Sequence, residues 1–71
     1  MKWRDFLEKI KGFNIQVKTE GPCCTIAGTV DGEKIHTTEF IESEDSYIDT
    51  QDVTRILKRF RIAEMFFHGH I

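Results

Sequence analysis

The stretch from Phe13 to Ile41 reads FNIQVKTEGPCCTIAGTVDGEKIHTTEFI. Phe13, Ile15 and Val17 alternate with Asn14, Gln16 and Lys18, the period-two pattern of a half-buried strand. Glu20, Gly21 and Pro22 interrupt it, since proline has no N–H for a ladder and marks a turn or a strand start. A second strand is predicted over 23–30. Cys24, Ile26 and Val30 lie on one face of it, and Cys23, Thr25, Ala27 and Thr29 on the other. Asp31-Gly32 is a hairpin signal, because glycine accepts the positive φ of a tight primed turn. A third strand is predicted over 33–41. Ile35 and Thr37 share a face, but Phe40 and Ile41 are consecutive, so a bulge or strand end is expected near Glu39.

On either side the period changes to that of a helix. Trp3, Phe6, Leu7 and Ile10 fall at i, i+3, i+4 and i+7, and so do Val53, Ile56, Leu57 and Phe60. The first helix is predicted over 2–11, with Gly12 as a left-handed C-terminal residue. Asp49 or Thr50 is the expected N-cap of the second, which should end near Arg61. Residues 62–67, with Met65, Phe66 and Phe67, form one further helical turn on the core, closed by Gly69. One face of such a turn cannot bury two adjacent rings. One ring, Phe66 or Phe67, is therefore expected to be exposed for a homodimer or partner contact. The fold class is α+β in the order α-β-β-β-α. A three-stranded antiparallel sheet carries two helices on one face, in a single domain spanning 1–71.

Size and composition narrow the function. A chain of 71 residues is near the lower limit for one stable core, and 39% hydrophobic content suffices for it. No apolar run is long enough to span a bilayer, and no leader pattern opens the chain, which predicts a soluble cytoplasmic protein. Cys23 and Cys24 are neighbours, so an intrachain disulfide scaffold is excluded. A net charge of −2 argues against broad electrostatic binding of nucleic acid.

Charge is nevertheless patterned. Glu39, Glu42, Glu44, Asp45, Asp49 and Asp52 form an acidic block, followed at once by Arg55, Lys58, Arg59 and Arg61. Acids before a helix and bases at its end suit the helix dipole, and the same block can also present a charged face to a partner. Glu39, Glu42, Glu44, Asp45, Tyr47 and Asp49 are accordingly the candidate partner-binding residues. Lys2, Arg4, Lys9, Lys11, Lys18 and Lys34 are the groups that could touch phosphates. His36, His68 and His70 do not combine with the cysteines in any standard metal spacing, so neither metal nor cofactor is expected. No phosphate-binding glycine loop, nucleophilic triad or paired-carboxylate set is present.

The pattern resembles the HicA-type mRNA interferase toxins, small α-β-β-β-α proteins of the double-stranded-RNA-binding fold. Those proteins open with a short helix ending in Gly-Phe or Gly-Trp, similar to Gly12-Phe13. They carry Gly-Ser-His where this chain has Gly21-Pro22-Cys23. Their last helix looks like the run from Val53 to Ile62, followed by Glu64-Met65-Phe66. The resemblance implies the fold. The family's histidine, implicated in RNA cleavage, maps onto Cys23, and the family's basic surface is missing. The leading expectation is therefore a non-catalytic module that binds and inhibits a protein through its acidic loop, as mobile-element inhibitors do. A toxin of a toxin–antitoxin pair that binds or cleaves mRNA is the alternative, with Cys23 and His36 as its catalytic candidates if the sheet brings them together. A thiol- or metal-responsive regulator is a third.

Overall fold

The computed structural model describes residues 1–68, and the expected closure at Gly69 and the tail His70 lie outside them. The elements are α1 (Trp3–Lys11), β1 (Gln16–Glu20), β2 (Cys23–Val30), β3 (Glu33–Phe40), α2 (Thr50–Arg59) and α3 (Glu64–His68). One antiparallel sheet has the order β1-β2-β3. The two tight turns set its register. Gly21 takes a positive φ of 57° before Pro22, and Asp31 and Gly32 take 51° and 82°, the two positive values that a primed hairpin turn requires. Among the described residues no helix is long and apolar enough to cross a membrane.

The helices lie on one face of the sheet, as the periodicity implied. Trp3, Phe6, Leu7 and Ile10 of α1 and Val53, Ile56 and Leu57 of α2 join Cys24, Ile26 and Ile41 in a single buried cluster. Phe67 of α3 completes it. Gly28 lies where this layer is tightest: a Cβ there would stand 3.2 Å from Ile15 and 3.6 Å from the Phe60 ring. The other face of the sheet is open.

Local departures from the sequence reading have physical causes. Gly12 keeps a right-handed φ of −68°, and the left-handed residue is Asn14, with φ 65°. Asparagine tolerates that region. The exit is a series of tight turns, with the N–H groups of Gly12, Phe13 and Asn14 donating to the carbonyls of Lys9, Ile10 and Lys11. The kink at Asn14 delays pairing until Gln16, yet Phe13 and Ile15 still reach the core. Of the two expectations near Glu39, the strand end holds: β3 stops at Phe40, one residue on, with no bulge. The β2–β3 pairing is unbroken from Val30↔Glu33 to Cys23↔Phe40. Ile35, Thr37, Glu39 and Ile41 simply alternate inward, and Phe40 points out.

The helix ends are satisfied in different ways. Asp49 caps α2, its carboxylate accepting from the Gln51 N–H at 3.0 Å. At the other end Arg61 has φ 56°, its N–H donating to Lys58 and that of Ile62 to Leu57. That is the Schellman pattern with arginine where glycine is usual, and the Arg61 guanidinium is paired with Asp31 in the β2–β3 turn. Lys2, the N-cap of α1, makes no side-chain cap. Instead the acidic loop supplies carbonyls: the Trp3 N–H donates to Ser46 at 2.9 Å and the Arg4 N–H to Glu44 at 3.0 Å. The loop is thereby pinned across the start of α1, with its negative charge at the positive end of that helix.

Candidate functional site

The predicted acidic face divides when the chain folds. Glu39 lies on the inner face of β3, and its side chain is only 11% exposed. Arg55 of α2 grips it with two hydrogen bonds, of 2.7 and 3.1 Å, and Thr37 adds a third at 2.8 Å. Glu39 ties helix to sheet and is not available to a partner, contrary to the expectation from its place in the acidic block. Strand parity is the reason: Glu39 shares a face with Ile35 and Ile41. Asp49 is committed as the α2 cap, and Asp45 is paired with Arg4. Asp45 and Asp49 remain exposed but engaged, whereas Glu42, Glu44 and Tyr47 are exposed with no side-chain hydrogen bond or ion pair among the described residues, Tyr47 at 72%.

Burial tends to raise the Glu39 carboxyl pKa, but the hydrogen bonds from Arg55 and Thr37 and the charge of Arg55 outweigh it and hold the group below its ordinary value of 4.5. The bond to Glu39 likewise holds Arg55 above its ordinary value. A carboxyl depressed in the folded state contributes stability that is present above about pH 4.5 and is lost as pH falls through the folded value. Glu39→Gln should therefore be less stable than the parent at neutral pH, and the difference should shrink on acidification. Thermal unfolding of both proteins at pH 7 and pH 3 checks this; a constant difference would mean that the charge of Glu39 contributes nothing.

Cys23 is exposed and Cys24 buried, as alternation predicted. Burial, then the negative charges of Glu39 and Glu44, push the Cys24 thiol pKa up, with Lys11 opposing weakly. Cys24 is thus an inert core thiol. Cys23 and His36 share the open face, but Cys23 pairs with Phe40 and His36 with Ala27. Four ladder steps separate them, roughly 13 Å, so the sheet does not assemble the Cys23–His36 pair expected of a cleaving site. Among the described residues no group of three or more His, Cys, Asp or Glu is placed to hold a metal ion.

What folding does assemble is a pocket of about 430 Å³ where the β1–β2 turn meets the end of β3, lined by Gly21, Pro22, Cys24, Ile41, Glu42 and Glu44 among others. Pro22 anchors its wall: its carbonyl accepts the Ile41 N–H at 2.7 Å. Phe40, 74% exposed, stands beside Cys23 on the adjoining open face. Pro22, Phe40 and Ile41 are not among the site residues that the sequence pattern marks. Carrying strand alternation one residue further would have turned Phe40 outward and Ile41 inward. Phe66 is 64% exposed, but Phe67 is fully buried, which removes it as a dimer contact and leaves Phe66. A second cleft at the opposite end of the sheet gathers Lys11, Asn14, Gln16, Thr29, Lys34 and His36.

Comparison of the chain with protein-family models, curated proteins and solved structures gives no match.

Proposed function

We propose that this protein is a small non-catalytic binding module, resembling a HicA toxin in element order, that holds and inhibits a protein partner at the turn end of its sheet. The observation that carries the reading is the pocket formed by Pro22 and Ile41, rimmed by Glu42 and Glu44 and flanked by the exposed Phe40 ring. An apolar recess with carboxylates at its rim suits a segment that offers one apolar side chain next to Lys or Arg. The rim would steer and select, while the recess and Phe40 would supply most of the buried area. The bonds pinning the acidic loop to α1 favour this use, because a rim that is already ordered loses less entropy on binding.

The test is affinity capture with the parent chain, a Glu42→Lys/Glu44→Lys double variant and Phe66→Ala. A partner retained by the parent and by Phe66→Ala, but lost at least about tenfold by the double variant, is the expected result. Capture indifferent to the charge reversal would overturn the assignment of this end of the sheet.

The alternative, a toxin-like protein that contacts mRNA, is favoured by one observation: the second cleft, with Lys11, Lys34 and His36 and no carboxylate in its lining. It predicts binding of duplex RNA that weakens steeply with salt, and growth arrest on expression that Cys23→Ala or His36→Ala relieves. The distance between those two residues speaks against joint catalysis.

A further inference from the structure

The sheet has two free edges, and they are not equivalent. The Ile41 N–H bond to the Pro22 carbonyl shows which way the β2 backbone faces at that end. Residues 22, 24 and 26 direct their polar groups to β3, so Cys23 and Thr25 direct theirs to β1. By the same alternation Glu20 and Lys18 face β2, while Val17 and Thr19 present their N–H and C=O groups to the outside. On β3 the outward-facing residues include His36, and there the Arg59 guanidinium donates to the carbonyl at 3.3 Å. A side chain of α2 therefore lies across the β3 edge. Among the described residues no side chain bonds to the outward backbone groups of Val17 or Thr19. An exposed row of this kind is a template for another strand.

The sequence of β1, Gln16-Val17-Lys18-Thr19-Glu20, selects the occupant. If two copies pair antiparallel about a two-fold axis, an axis through any of the five β1 residues keeps the inner faces together, and one through Gln16 sets Lys18 against Asn14, outside the strand. An axis through Lys18 sets that lysine against itself, and an axis through Glu20 sets the glutamate against itself. An axis through Val17 puts Lys18 opposite Gln16. An axis through Thr19 puts Lys18 opposite Glu20 of the second copy, twice, with Thr19 against Thr19. In that register Thr19 and its copy exchange the outward hydrogen bonds. The Lys18–Glu20 pairs then fall at the non-hydrogen-bonded positions, where side chains come closest. Lys18 and Glu20 are both exposed on the open face, and neither is in an ion pair among the described residues.

We infer that β1 is a self-association edge, on which a second copy of this chain pairs antiparallel through Thr19 to make a continuous six-stranded sheet with both helical layers on the same side. The contact borders the partner pocket proposed above, whose lining includes Thr19, and it uses neither Phe66 nor Phe67.

Sedimentation velocity from micromolar to about 1 mM protein tests it, with amide exchange by NMR on the same samples. The expected result is a mass rising from 8.3 kDa toward twice that value, with the Val17 and Thr19 amides slowed at high concentration. Lys18→Glu should weaken association by about tenfold or more, and Lys18→Glu/Glu20→Lys should restore it to within about threefold. A parent chain that stays monomeric throughout overturns the inference. So does a Lys18→Glu chain that associates as well as the parent, or a double variant that does not recover. Slowed exchange confined to the amides of β3 or α3 would place the contact elsewhere and overturn it equally.

Discussion

Phe67→Ala is expected to lower the unfolding free energy by about 3–5 kcal/mol, while Phe66→Ala, one residue away, changes it by less than about 0.5 kcal/mol. Phe67 has no exposed surface. Its ring lies 5.3 Å from Phe6 and 5.8 Å from Phe13, centroid to centroid, and the Lys9 ammonium sits 5.1 Å above it. Truncation removes the burial of a whole aromatic side chain and opens a void between α1 and α3. A five-residue helix has no stability of its own, so α3 should undock with the loss of its anchor. A domain of this size has only about 4–10 kcal/mol in total, so the variant should be partly unfolded at 37 °C. Urea unfolding followed by circular dichroism measures both variants. Equal effects at the two positions would mean that α3 does not dock through Phe67.

Ile26→Ala should cost about 2–5 kcal/mol, against less than about 1 kcal/mol for Thr25→Ala. Ile26 is fully buried at the centre of the middle strand, opposite Val17 on one side and Thr37 on the other. It belongs to the same buried cluster as the apolar stripes of both long helices, so its truncation leaves a cavity in the shared core. Thr25 projects from the open face, where its loss removes little apolar contact. The same urea titration separates them. A Thr25→Ala cost as large as that of Ile26→Ala would mean that the open face is covered in solution by a partner, since a second copy paired through β1 would leave it open.

The order of elements was legible in the residues because periodicity is a local property. Trp3, Phe6, Leu7 and Ile10 declare a helix face wherever the helix is later placed, and Asp31-Gly32 closes the same hairpin in any surroundings. The inward Cys24 and outward Cys23 followed from the same alternation. At Glu39 the charge pattern and strand parity disagree, and parity decides. A carboxylate in an acidic run is expected at the surface, but Arg55, sixteen residues later, is brought across the sheet to meet it.

Sequence alone determined the helix and strand faces and the Asp31-Gly32 hairpin turn, and it narrowed the α2 cap to Asp49 or Thr50. Each depends on backbone geometry over a few residues. The tertiary structure decided which carboxylates are free, that Phe67 rather than Phe66 enters the core, that Cys23 and His36 stand apart, and that Pro22 and Ile41 share a pocket. It also left β1 open while Arg59 crossed the β3 edge. Those outcomes depend on ladder register and on helices laid over the sheet, which join residues far apart in the chain and so leave no local pattern to read.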